Sequence, residues 1–266
     1  MLSMRRSVWL ILFVLANAAL AQDKTQRCAV DTSSSISTDR PQVTSSSIVV
    51  PCGTLQFENG FEGSQSGNRW GFDLPETSVR VGVAKKTEVR FGVPNYVRNG
   101  DTASGFSNGF GDMSVGFKQQ LGPTPGKFDL SIIPAVSLPT GADALSSHGY
   151  DPSVQAPWSR ALSKNWTAAG MLSFAAPTVG PRRDLTGQGS VYFDRQLTAL
   201  CDAYVEYSGV FAQRTGPQHL IDFGSANKPT PHQQFDFHVG FGLSSAAPIY
   251  IVGVGYSVRF QIFHYK

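Results

Sequence analysis

Charge is scarce in this 266-residue chain: Asp, Glu, Lys and Arg make up 15% of it, and the net charge is only +3. A surplus that small excludes the strongly basic surface with which proteins hold nucleic acid. Long apolar runs are absent beyond residue 21, so no later segment reaches the roughly 20 residues that a membrane-spanning helix needs. If the mature chain enters a bilayer, it enters as strands. Nucleophile motifs are missing as well. None of His148, His219, His232 and His238 lies in a context such as G-x-S-x-G, and the five histidines lack the spacing of metal ligands. Glycine pairs such as Gly253 and Gly255 precede no helix, which removes a phosphate-loop reading and leaves relief of crowding inside a curved sheet. No catalytic residue, metal, cofactor or nucleic-acid partner is expected.

The amino terminus carries a targeting pattern. Residues 1–6 bring two positive charges, residues 7–18 form a short apolar run, and Ala19-Leu20-Ala21 is a small-x-small cleavage site. Residues 1–21 thus read as a secretory signal peptide, the competing membrane anchor being too short to span. Export places the three cysteines in an oxidising compartment. Cys28 and Cys52 flank the Ser-rich stretch SSSISTDRPQVTSSS, and they read either as a disulfide restraining that loop or as unpaired thiols. Cys28 lacks the small apolar residues of a lipoprotein site. Residues 22–52, without a strand period, read as a flexible periplasmic arm or a plug.

What is abundant is alternation. In residues 233–243, Phe235, Phe237, Val239, Phe241 and Leu243 alternate with Gln234, Asp236, His238, Gly240 and Gly242. In residues 250–260, Tyr250, Val252, Val254, Tyr256, Val258 and Phe260 alternate with Gly253, Gly255, Ser257 and Arg259. This is the two-residue period of strands, and residues 244–248 connect the two runs as a hairpin. One row is too aromatic for a polar loop, and the other too charged and Gly-rich for a sandwich core. A closed barrel with lipid outside and an enclosed polar interior satisfies both. A mean hydropathy of −0.12 suits strands half of whose residues face water.

The same grammar starts at Thr54 and recurs through the chain, giving nine clear strands up to Phe211 and two in the terminal hairpin. Stretches 63–71, 98–108, 140–151 and 177–186 read as long loops, alternating with short turns. Both ends of a bacterial barrel lie in the periplasm, so the count should be even. Residues 218–226, QHLIDFGSA, supply the missing strand despite a poor pattern, with 227–232 as its turn. The expected fold is all-β: an antiparallel up-and-down transmembrane barrel of about twelve strands over residues 53–266, every strand with two neighbours and no exposed edge.

Several stretches carry a resemblance: DRP at residues 39–41, PCGTLQFENGF from Pro51, LPETSVRVGVAKKTEVRFG from Leu74, GFGDMSVGFKQQL from Gly109, VSLPTGAD from Val136, and the terminal hairpin. Together they resemble the Gram-negative outer-membrane family catalogued as transporters of phenol-degradation (MetA-type) pathways. Cys52 departs from the family's usual Pro or Gly there, and residues 261–266 run past the aromatic Phe260 that would ordinarily end the last strand. The resemblance implies an outer-membrane barrel with a transport role, often for hydrophobic or aromatic compounds, and identifies no binding residues.

The inward rows hold the candidate lumen-lining residues Glu58, Glu76, Arg80, Glu88, Arg90, Asp112, Lys118, Glu206, Asp236 and Arg259, with Asp129, Asp194 and His238 in the same rows. Unpaired burial of such groups is costly, so they pair, line water, or both. Closure could bring Glu58 near Arg259, and Arg80 and Glu88 lie on adjacent strands. Two readings stay open. One is a channel for passive passage of small, hydrophobic or aromatic solutes; the other is a non-transporting structural or surface-recognition barrel whose lumen is plugged by ion pairs. The expected partners are outer-membrane lipid, small solutes and, during insertion, the barrel-assembly machinery.

Overall fold

The computed structural model describes residue 28 and residues 34–101, 103 and 105–263. The signal peptide expected over residues 1–21 lies outside the described residues. Among those described, the regular elements are all strands: β1 (Thr54–Ser66), β2 (Arg69–Leu74), β3 (Ser78–Ala84), β4 (Thr87–Gly92), β5 (Tyr96–Asp101) and β6 (Gly105–Phe110) come first. Then follow β7 (Met113–Gln120), β8 (Asp129–Leu138), β9 (Asp151–Ala161), β10 (Trp166–Ala175) and a small hairpin of β11 (Thr178–Val179) and β12 (Arg182–Arg183). The last five are β13 (Thr186–Gln196), β14 (Cys201–Ala212), β15 (Gln218–Thr230), β16 (Gln233–Gly242) and β17 (Tyr250–Gln261).

Twelve of these, β1, β3, β4, β7 to β10 and β13 to β17, form one antiparallel wall that closes when β17 pairs back onto β1. That seam runs from Thr54 opposite Gln261 to Gln65 opposite Tyr250. Connections 85–86, 121–128, 162–165, 197–200 and 231–232 lie at the end where the wall's first and last strands begin and finish. Connections 139–150, 176–185, 213–217 and 243–249 lie at the other. We call these the termini end and the loop end.

The alternation sorts side chains as a membrane barrel requires. Phe235, Phe237 and Phe241 are 54%, 46% and 46% exposed on the outer face, whereas the largest fully buried side chains include Arg80, Lys118, Glu58 and Glu88. Apolar outside and ionic inside inverts a water-soluble core. It is stable only where acyl chains replace water around the wall.

Two expectations need correction. Residues 63–71 and 98–108 are not loops: β1 continues to Ser66, and β2, β5 and β6 form a ladder that extends the sheet beyond the rim at β1. Strands outside the bilayer need no continuous oily row, so the period that marks the others is missing. Local contacts hold them instead, among them the Arg98 guanidinium 4.4 Å above the Phe106 ring. The weakly patterned β15 is a full strand, running to Thr230 rather than ending at Ala226. Its pattern is blurred by a cross-strand demand: a Cβ at Gly224 would stand 2.5 Å from the Tyr204 ring, whose hydroxyl donates to Asp222 at 2.8 Å.

Candidate functional site

Residues 34–50 run inside the wall, held by polar groups of many strands. Cys28 and Cys52 are disulfide-bonded, which closes residues 28–52 into a covalent loop. Within it, the Ile36 amide donates to the Pro231 carbonyl at 2.7 Å, and the Arg259 guanidinium donates to the Ser34 carbonyl at 2.6 Å. Gln234 donates to Thr38 and to the Arg40 carbonyl. Ser45 donates to Gln155 at 2.9 Å, Ser47 Oγ lies 2.7 Å from Ser159 Oγ, and the Val49 amide reaches Gln120. A segment so rich in Ser and Thr satisfies an ionic wall because nearly every residue can donate and accept.

On one side the arm completes an ion cluster. Arg80 meets Glu58 at 2.7 Å and Glu88 at 2.8 Å, and Lys118 lies 3.6 Å from Glu88. Asp39 enters from the arm, pairing with Arg90 and lying 3.3 Å from Lys118 and 3.6 Å from Arg80. The wall alone contributes three cations and two carboxylates here; Asp39 brings the cluster to neutrality. Burial opposes the charge on Asp39, yet Arg80, Arg90 and Lys118 hold its carboxyl well below the usual carboxylate range. Glu88 also accepts the Val50 amide at 2.6 Å, tying the arm's end to the same cluster.

Two further anchors fix the arm. The Arg40 guanidinium pairs with Glu76 and lies 3.6 Å from Asp236, in a notch where Gly60 of β1 faces Gly255 of β17. A Cβ at Gly60 would overlap the guanidinium, and one at Gly255 would come within 2.6 Å of its Nε. Across the lumen Glu206 accepts the amides of Val43 at 2.7 Å and Thr44 at 2.9 Å and the Thr44 hydroxyl at 2.6 Å. One carboxylate thus satisfies three donors of a segment that has no ladder of its own.

Toward the loop end the lumen is not filled. A cavity of about 520 Å³ is bounded by Ser78, Gly92, Ser114, Gly116, Ala135, Ser137 and Ser153, with Arg90 and Gln155 also on its surface. Arg90 and Gln155 touch Asp39 and Ser45 of the arm as well, so the arm stands at the cavity's floor. Its two rim carboxylates are engaged by loops. Asp112 accepts the amides of Thr140 at 3.0 Å, Gly141 at 2.8 Å and Ser147 at 2.9 Å. Asp151 accepts the Thr178 amide and hydroxyl and pairs with Arg183 at 2.5 Å. Partial burial raises the Asp112 pKa, but the Ser147 and Gly141 amides outweigh it and hold the group below its ordinary value.

Of the expected lumen-lining residues, Glu58, Arg80, Glu88, Arg90 and Lys118 gather in the one cluster, and Glu206 and Asp236 hold the arm from other strands. Glu76 and Asp112 lie outside the strands, at the β2–β3 break and before β7. Glu58 does not meet Arg259. The seam register sets Gln56 opposite Arg259 and Glu58 opposite Ser257; Glu58 pairs with Arg80 of β3, and Arg259 donates to Ser34 of the arm. Reading the strands alone missed Asp39, Arg40, Ser45 and Ser47, which belong to no strand; the DRP stretch at 39–41 was the signal. Among the described residues no group of His, Cys, Asp and Glu has the arrangement of a metal site.

A model of the family described as "Putative MetA-pathway of phenol degradation" matches residues 38–260. No curated protein matches the sequence. Among solved structures, an outer membrane channel from Pseudomonas putida F1 is similar at a TM-score of 0.61 and 12% identity, over 80% of this chain and 97% of that one. The NanC porin is similar at a TM-score of 0.53 and 10% identity, over 77% of this chain and 98% of that one. At such identities the likeness is one of fold.

Proposed function

This chain belongs to the family of the MetA pathway of phenol degradation, and we propose that it is an outer-membrane channel for passive passage of small, hydrophobic or aromatic solutes. One observation carries this reading: the wall encloses a cavity of about 520 Å³ at the loop end, large enough for a small aromatic molecule. A second feature says what limits passage. The termini end is occupied by a segment attached through hydrogen bonds, ion pairs and the buried side chains of Ile36, Val49 and Val50, not by strand pairing, and such an attachment can be released without unfolding the wall. We assign the arm, over its described residues 34–52, as a plug on this basis, the wall from residue 53 to residue 263 as the barrel, and no catalytic role to either. Insertion would use the barrel-assembly machinery.

The rival reading is a static barrel, favoured by the neutral ion cluster that the arm completes. Solute flux in reconstituted liposomes separates the two. The channel reading expects flux of a small aromatic solute above empty vesicles, rising at least about tenfold when residues 34–50 are removed. Equal, background flux from the full chain and the shortened variant would sink it.

A further inference from the structure

We propose that the ion cluster on the cavity floor is a binding site for small monocarboxylates, aromatic acids included, and that such a solute competes there with Asp39; this presupposes the channel reading and specifies its solute and how the arm is moved. Charge sets the class. Arg80, Arg90 and Lys118 stand against Glu58 and Glu88 on the wall, so the wall alone carries one uncompensated positive charge. In the folded chain that charge is met by Asp39, a carboxylate borne on the arm and not on the wall. A solute carboxylate can replace it one for one. A neutral solute would leave the charge unmet, and a dianion would overcompensate it.

Geometry puts the exchange within reach of the cavity. Arg90 lines the cavity and holds Asp39 through Nη2. Its Nη1 is buried without a hydrogen-bond partner, 3.6 Å from Glu88 Oε1, beyond hydrogen-bonding distance. Of the charged groups on the cavity, Asp112 and Asp151 are taken up by the loop amides, Thr178 and Arg183. An entering anion therefore meets one cation there, Arg90, and contests Nη2 with Asp39; Nη1, buried and short of an acceptor, becomes its second donor once Asp39 has left. Guanidinium and carboxylate then form the two-point pair that Asp39 does not make. Asp39 is tethered close by, which gives it a high effective concentration and keeps solute affinity low in the intact protein.

Once Asp39 is displaced, residues 36–41 lose the carboxylate that ties them to three cations and are left with the Ile36, Ser37, Thr38 and Arg40 contacts to Pro231, Arg80, Gln234, Glu76 and Asp236. The Glu206, Ser159 and Gln120 contacts of the later part of the arm are untouched. Solute occupancy and the hold on this part of the arm are thereby coupled through one guanidinium, and the coupling is reciprocal: the factor by which solute weakens the Asp39 contact is the factor by which loss of that contact strengthens solute binding.

The test uses benzoate as the anionic probe and benzyl alcohol as its uncharged match, titrated calorimetrically into the full chain in detergent. Benzoate should bind the unaltered protein weakly, bind Asp39→Asn at least about tenfold more tightly because a charge-assisted competitor is gone, and lose binding in Arg90→Gln. Benzyl alcohol should show none of this dependence. A second measurement needs no variant: benzoate should accelerate thermolysin cleavage at Ile36 in the unaltered protein severalfold, more than at Val43 and Ile48, and benzyl alcohol should not. Equal binding of the two probes, a benzoate affinity indifferent to both substitutions, or unchanged cleavage would each overturn the site. Benzoate binding with the expected dependence, but without flux into liposomes, would sustain the site and overturn the channel reading instead.

Discussion

The two ends of the lumen are built from the same strands in opposite ways. Along β4, Glu88 receives the arm and Gly92 faces the cavity; along β7, Gln120 and Lys118 hold the arm, and Gly116 and Ser114 face the cavity. On β8, Ser131 donates to the Ser47 carbonyl while Ala135 and Ser137 line open space, and on β9 Ser159 gives way to Ser153. Within a few residues each inward row changes from groups that capture a guest segment to groups too small to fill the section. A wall can thus be plugged at one end and hollow at the other without any change of fold. Side-chain size along a single row sets where the lumen is open.

The largest effect that would sharpen this contrast is expected from Arg80→Leu. It leaves Glu58 and Glu88 buried without their guanidinium, and should cost about 3–5 kcal/mol in urea unfolding of the detergent-solubilised protein. A loss under about 1 kcal/mol would mean that the charged end is no better bound than the hollow one. Next comes Ala135→Trp, which fills the cavity from the loop end. It should reduce solute flux about tenfold while changing stability by less than about 1 kcal/mol, since the ring enters open space.

Gly60→Val should act in the opposite sense at the arm. Its side chain would occupy the notch of the Arg40 guanidinium, at an overpacking cost of about 1–3 kcal/mol that displacing the arm relieves. Thermolysin should cut the arm faster, and flux should rise. If cleavage is unaltered, Arg40 does not hold the arm.

A pH dependence is expected from Asp112. Its folded pKa is depressed, so its hold on residues 140–147 is fully present above the unfolded value of 3.8 and is lost only as pH falls through the lower folded value. Amide exchange at Gly141 and Ser147, corrected for intrinsic rates, should show equal protection at pH 5 and pH 7 and a loss well below pH 3.8. The smallest effect is expected from Ser137→Ala on the hollow end, within about 0.5 kcal/mol of the unaltered protein.

Reading the residues in order located the wall well and the site poorly, for one reason. A strand facing lipid advertises itself every second residue, as Phe235, Phe237 and Phe241 do, and even the blurred β15 was recoverable once closure demanded an even count. The rim strands β2, β5 and β6 escaped because water bathes both of their faces and no row need be oily. Glu58 illustrates the limit inside the lumen. Adjacency of β1 and β17 follows from closure, but Arg259 and Arg80 both stand opposite Gln56, one on each side of β1, and Glu58 pairs with Arg80 while Arg259 turns to Ser34 of the arm.

From its sequence alone this protein was determined to be a sealed antiparallel sheet with an ionic interior, because alternation and the cost of burying charge leave no other arrangement in a bilayer. Only the tertiary structure decided that the interior is completed by the chain's own arm. Asp39, Arg40 and the Ser-rich stretch around Ser45 have no period of their own. Their role exists only where β1, β3, β4, β7 and β17 bring Glu58, Arg80, Glu88, Arg90, Lys118 and the Gly60–Gly255 notch around them, and ion pairing across a lumen depends on distances that no local pattern encodes.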